Sequence, residues 1–292
     1  MKAYRGDTHH HQVKDIGVED ALEYLRRRGD DFVFLEYKEE DDPSLILDPA
    51  TLCTPDFLVV PGTEQAFIGR KGTWNHLSIE PLLIPIPDTE TDYWHVPDGF
   101  AQVNERVPGA LTRINHPADG RWTLDDVRDA VAQKARIWEL NPAANPMQFA
   151  VDQWDECLND GLLLYATLST DIHGFRGIEA VGYVTIWADR LEQAALLEAM
   201  RAGEFVAVER ACAAEPVSVL RGDGRPGSRC EITLPTAALV RFVGPGGETL
   251  AEVKGNTAAY EIKGGEGYVR AEVTDDSGLR AFTQPMFVRR DG

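Results

Sequence analysis

The chain has 292 residues and a formal net charge of −19, with 48 Asp and Glu against 29 Lys and Arg. So acidic a chain disfavours nucleic acid and anionic membrane as partners, because phosphate binding wants a basic face, and its length suits one large domain or one large and one small. Its four cysteines, at 53, 157, 212 and 230, lack any C-x-x-C spacing, which excludes a disulfide framework and a thiolate zinc site and predicts reduced, mostly buried thiols.

The first informative stretch is Gly6-Asp7-Thr8-His9-His10-His11. In a strand, residues two apart share a face. His9 and His11 can therefore aim at one point while His10 points away, and neutral imidazole is the commonest metal ligand. A tag fragment or polar tail is the plainer reading, against which stand the shortness of the run and the helical segment after it. Val18, Ala21, Leu22 and Leu25 then make one apolar face, predicting a helix over residues 16–28 stopped by Gly29. Residues 31–35 read as a buried strand followed by a charged loop over 36–43. Strand, helix, strand is the unit of a parallel sheet.

Residues 57–60 predict another apolar strand, with Pro61-Gly62-Thr63-Glu64 leaving a carboxylate just past its end. That is where α/β barrels keep their chemistry. Gly72-Thr73-Trp74-Asn75-His76-Leu77 leads to a further strand. Residues 85–109, rich in Pro, Asp and Thr, predict a long surface loop usable as a lid, with Trp94 and His95 packing it down or, as the alternative, touching substrate. Residues 111–117 form a strand ending in His116-Pro117. Thr123 with Asp126 forms a capping box opening a helix to about Arg136, and residues 137–141 a short strand. Asn145-Pro146 starts a helix that carries Met147, Ala150, Val151, Trp154 and Leu158 inward and ends at Gly161. The strand 162–167 runs into Asp171-Ile172-His173. A strand over 181–186 and a helix over 190–201, ended by Gly203, follow.

From about Val206 the texture changes. Short strands over 239–243, 258–262, 268–273 and 279–283 alternate with Gly-rich turns, the pattern of an antiparallel β sandwich. Two domains are expected, 1–205 and 206–292. The second caps the first; a role in carbohydrate or partner recognition is the alternative, but no aromatic platform is visible. No apolar run reaches transmembrane length and no signal peptide precedes the His stretch, so a cytoplasmic protein is expected.

His9, His11, Glu64, His116, Asp171 and His173 each follow or end a predicted strand of the α/β region, and in a parallel barrel such ends converge on one rim. Nitrogen and carboxylate ligands without thiolate suit zinc, manganese or iron. At this point the sequence resembles the PHP (polymerase and histidinol phosphatase) domain metallohydrolases, and most nearly their branch of carbaryl-type carbamate and amide hydrolases. Gly6-Asp7-Thr8-His9-His10-His11 is similar to that family's opening G-D-x-H-x-H, Pro61-Gly62-Thr63-Glu64 to its P-G-x-E, Asn115-His116-Pro117 to its N-H-P, and Asp171-Ile172-His173-Gly174 to its S-D-A-H-G. The helix segment from Trp154 to Gly161 and the tail from Thr283 to Val288 also resemble their counterparts, so the likeness runs through nearly the whole chain in order.

The resemblance implies a distorted seven-stranded βα barrel, TIM-like, holding two or three divalent metals that activate water. Carried over, His9, His11, Glu64 and Asp171 form the first metal site, Glu64 bridges to a second that His116 also holds, and His173 serves a further one. The chain departs from the family where T-D-H-N becomes Glu36-Tyr37-Lys38-Glu39 and where the His of G-H-x-N becomes Thr73. The second and third metals lose ligands and the first site alone stays whole, so one or two ions are expected, zinc foremost. Lys38, aligned with a ligand position, is a candidate substitute for metal charge near Asp171 and His173, acting on a substrate anion; a solvated Lys38 is the alternative. With His116 or His173 as general acid or base, the chain reads as a metal-dependent hydrolase of a small ester, amide or carbamate, or of a phosphate ester. The other reading is a PHP-like module that binds metal, ligand or partner without turnover.

Overall fold

The computed structural model describes residues 1–11, 17–38, 48–66, 73–77, 96–118, 122–141, 149–172 and 181–289. In chain order the elements are β1 (Lys2–His11), α1 (Val18–Arg27), β2 (Phe32–Lys38), β3 (Leu58–Ala66), β4 (Thr73–Leu77), α2 (Val96–Arg106), β5 (Leu111–Asn115), α3 (Leu124–Ala132), β6 (Ile137–Glu139), α4 (Val151–Asn159), β7 (Tyr165–Thr167), β8 (Gly182–Ala188), α5 (Gln193–Arg201) and β9 (Phe205–Glu209). Then come β10 (Arg229–Val243), β11 (Thr249–Glu261), β12 (Tyr268–Thr274), β13 (Arg280–Thr283) and β14 (Met286–Phe287). The fold is mixed α/β. One large sheet has the strand order β11-β10-β12-β13-β9-β8-β1-β2-β3-β4-β5-β6-β7, with β14 on β12.

The strand–helix–strand opening predicts a parallel sheet, but the observed sheet is mixed. β1, β2 and β3 run parallel, as do β5, β6 and β7, but β4 is antiparallel to both its neighbours. Nor is it flat. β1 and β6 are five places apart, which in a flat sheet is about 24 Å at the usual strand spacing. Yet His9 on β1 bonds Glu139 on β6 at 2.9 Å, so the strands between them curl round a common interior. The segment after β7 returns to β1, where Asp171 N donates to His9 O at 2.9 Å and Ile172 forms a parallel bridge with His10. The curl's lower interior is apolar, built of Tyr4, Phe32, Phe34, Val60, Leu111, Ile137, Val184 and Ile186. Its upper interior is polar and carries the site.

Helices cover the outside. α1 turns Leu22 and Leu25 onto Val33, Leu35, Tyr37 and Val59 and stops at Gly29, whose φ of +87° suits glycine. α3 opens with the expected Thr123–Asp126 capping box and ends at Ala132, short of Arg136. Trp154 of α4 is fully buried and donates from Nε1 to Leu164 O at 2.9 Å. All four cysteines are free and three are buried. No described helix is long and apolar enough to cross a membrane.

Several boundaries differ from the sequence reading. β2 continues through Glu36, Tyr37 and Lys38, which read as a charged loop, because Glu36 finds a buried partner inside the curl. β3 likewise continues through Pro61 to Ala66, so Glu64 lies within a strand. Part of the predicted lid, Val96–Arg106, is helix α2, with Val96, Phe100 and Val103 buried; Trp94, His95, Met147 and the Asn145-Pro146 start lie outside the described residues. β10 and β11 begin earlier than the short runs suggest, since β10 alternates buried and exposed residues from Arg229 onward. Strands β10 to β13 pair antiparallel, and β13 joins them to β9 and so to the main sheet.

Candidate metal centre

His9, His11 and Glu64, all buried, each bring one donor atom within 4.8 Å of the others. The Nε2 atoms of His9 and His11 are 3.1 Å apart. Asp171 Oδ1 stands 3.3 Å from His9 Nε2 and 3.2 Å from His11 Nε2. Glu64 reaches His11 Nε2 at 3.3 Å through Oε2 and His9 Nε2 at 3.6 Å through Oε1. Atoms bound about 2.0–2.1 Å from a tetrahedral cation stand roughly 3.4 Å from one another. The observed separations bracket that value.

The backbone explains why these atoms meet. β1 shifts register between Asp7 and His10. Asp7 holds the irregular stretch by accepting from His9 N at 3.1 Å and from Thr170 N at 3.2 Å and Thr170 Oγ1 at 2.5 Å. His10 faces the other way, its Nδ1 3.6 Å from Asp7. Asp171 and His116 have φ of 47° and 23°, backbone that non-glycine residues rarely adopt and that gathers at functional sites.

A buried carboxylate orients the imidazoles. Glu139 Oε1 is 2.9 Å from His9 Nδ1, Glu139 Oε2 accepts from His116 N at 2.8 Å, and the Ser169 hydroxyl donates to Oε1. With Nδ1 bonded to Glu139, His9 turns its Nε2 toward another imidazole nitrogen and two carboxylates. Such a gathering of nitrogen and carboxylate donors favours bound positive charge, a proton or a metal cation, and imidazole bonded to carboxylate is the usual support of a metal-bound histidine. The electrostatics agree in sign. Burial alone pulls His11 down, but bonds to Asp171 and Glu64 carry it up to about 10; burial also pulls down His116, which its bond to Glu64 carries up to about 9. Burial pushes Glu64 up, yet His11 and His116 hold it well below the usual carboxylate range. The donor set of two imidazoles and two carboxylates therefore fits a divalent cation.

Glu64 also faces His116, whose Nε2 is 3.3 Å from Oε1, and accepts from Asn115 Nδ2 at 2.9 Å. His116 Nε2 is 3.9 Å from Asp171 Oδ2. Thus His9, His11, Glu64, Asp171 and His116 are brought together. His173 lies outside the described residues. The Lys38 backbone sits at the end of β2 opposite Glu64, and its side chain is likewise outside them. Tyr37 packs outward among Leu22, Leu25 and Val59, away from the donor cluster. No motif in the sequence singles out Glu139, Arg113, Glu36 or Ser169. The available signal was a charge inside an apolar strand: Glu139 between Trp138 and Leu140, and Arg113 two residues from Leu111 on the inward face.

No protein-family model and no curated protein matches the sequence. Among solved structures, the chain is similar to a two-domain protein from Bacteroides vulgatus containing a predicted PHP-like metal-dependent phosphoesterase, at 18% identity and a TM-score of 0.55, over 97% of this chain and 95% of that one. A second likeness is to a metal-dependent phosphoesterase candidate from Bifidobacterium adolescentis, at 13% identity and a TM-score of 0.39, over 58% of this chain and 87% of that one. The first likeness extends over both regions of the chain and establishes a shared fold.

Proposed function

We propose that this chain is a PHP-type, metal-dependent hydrolase acting on a small ester, amide or carbamate. In this reading the curled strands β1 to β7 are the family's barrel, residues 1–205 are the catalytic region, and residues 206–292 a β-sandwich cap. The observation that carries the reading is the convergence of His9 Nε2, His11 Nε2, Glu64 and Asp171 at separations of 3.1–3.6 Å. These four residues would hold a divalent cation, zinc foremost, which would supply an activated water and a polarised scissile bond.

The chain's own residues do the rest. Glu139 fixes the ring of His9 and the backbone of His116. Asn115 fixes Glu64. His116, edging the donor cluster and 15% exposed at its side chain, would give a proton to a leaving group or take one from water. His173 and Lys38 remain candidates for the same rim from their places in the sequence.

A phosphate ester is the second reading, favoured by the shared fold with a protein described as a phosphoesterase. A panel of aryl esters, carbamates and aryl phosphates, assayed with and without added Zn²⁺ or Mn²⁺, separates the two. Metal-dependent turnover that disappears in Asp171→Asn supports the hydrolase. Stoichiometric metal binding with no turnover of any member supports the binding module instead.

A further inference from the structure

Beneath the donor cluster lies a guanidinium with three separate duties. Arg113 is wholly buried. Its Nη1 donates to Thr8 O at 2.5 Å, its Nη2 to Glu36 Oε1 at 3.0 Å, and its Nε to Asn115 Oδ1 at 2.9 Å. Asn115 passes the constraint on, donating from Nδ2 to Glu64 Oε1 at 2.9 Å. Thr8 belongs to the stretch where β1 shifts register, directly before His9. One planar group thus touches the irregular backbone that aims His9 and, through one amide, the carboxylate opposite. Room for its counter-ion comes from Gly62, where a Cβ would stand 3.1 Å from the Glu36 carboxyl carbon.

We propose that Arg113 is a positioning residue of the metal centre, setting the distance between the His9–His11 arm and Glu64 through Thr8 O on one side and Asn115 on the other. The inference rests on the metal-centre reading above. It makes a prediction opposite to that from charge alone. A fixed cation near a metal repels it, so if charge were Arg113's main effect, removing it would tighten metal binding. If geometry is the main effect, removal loosens binding. Lysine keeps the charge but lacks the planar fork that serves three acceptors at once.

The experiment measures Zn²⁺ affinity by competition with a chromophoric chelator, with thermal unfolding in EDTA as a separate readout. The variants are His9→Ala, Arg113→Lys and the double variant Arg113→Met with Glu36→Leu, which removes both members of the buried pair together because a lone buried charge destabilises the fold. The expected result is a loss of roughly 10–100-fold in Zn²⁺ affinity for the double variant, the range typical of groups that orient ligands. Arg113→Lys should also bind more weakly than wild type. Affinity equal to wild type or tighter in these variants overturns the proposal while leaving the metal centre intact, provided His9→Ala abolishes binding. A wild-type chain that takes up no Zn²⁺ overturns both. If the double variant does not fold, Arg113→Lys alone decides: weaker binding supports the proposal and unchanged binding overturns it.

Discussion

At the scale of single residues, the centre depends on side chains whose charge and backbone can be varied apart. Asp171 is the sharpest case, since its φ of 47° is one that asparagine also tolerates. Asp171→Asn should keep the fold, with a thermal midpoint near that of wild type without metal, and lose bound metal; plasma emission analysis of dialysed protein checks it. Glu139→Gln keeps an acceptor opposite His9 Nδ1 but removes the charge, and should weaken metal binding roughly 10–100-fold, read by chelator competition. The converging donor residues were legible because each sits in a short motif, with His9 and His11 two apart and facing inward together. Their supports were not. Glu139, Arg113 and Glu36 stand in strands whose neighbours are apolar, and a sequence does not tell a charge satisfied inside a curled sheet from one at the surface. Glu36 shows the cost of that ambiguity: read as the start of a solvated loop, it is an interior residue paired with Arg113.

At the scale of elements, close approach and turn chemistry decide. A Cβ on Gly6 would lie 2.3 Å from Phe32 O and 2.6 Å from the Phe32 ring, so only glycine lets β1 and β2 pair at that height. Gly6→Ala should cost about 1–3 kcal/mol, the usual range for overpacking, by urea unfolding. In the β12–β13 hairpin, Asp275 accepts from Ser277 N, Leu279 N and Ala213 N at 2.8–3.0 Å. Although burial acts to raise it, these bonds and that from the Ser277 hydroxyl lower its pKa from 3.8 to about 2. A depressed folded value means the contribution is complete above the unfolded value and lost as pH falls through the folded one. Asp275→Asn should therefore lower stability by on the order of 1–2 kcal/mol near neutrality, with the gap to wild type closing between about pH 4 and pH 2. The sequence showed α1, α3, α4 and α5, because apolar spacing and stops such as Gly29 and Gly161 are local, but α2 lies in the stretch that reads as a loop. It missed the long starts of β10 and β11 and the reversed direction of β4, because strand length and direction are settled by distant partners.

At the scale of the whole molecule, the C-terminal strands join the rest through the pairing of β13 with β9, a shared apolar core and a few buried polar contacts. Arg270 of β12 grips Asp155 of α4 with two bonds, Nε to Oδ1 at 2.8 Å and Nη2 to Oδ2 at 2.6 Å, and Tyr268 adds a third at 2.9 Å. The Gln284 carboxamide accepts from Ala166 N at 2.7 Å and donates to Ala166 O at 2.9 Å, so a side chain pairs the edge of β7 as a strand would. Arg270→Met leaves Asp155 buried without its counter-charge and should cost about 3–5 kcal/mol, measured by guanidinium unfolding. Such contacts lie between residues more than a hundred positions apart, and nothing in either local sequence announces them. Function, however, turns on one point inside the curl. A crystal grown with Zn²⁺ and measured on both sides of the zinc absorption edge tests it most directly. The account predicts one strong anomalous peak within coordination distance of His9 Nε2, His11 Nε2, Glu64 and Asp171. A map with those four side chains ordered and no peak among them would contradict it.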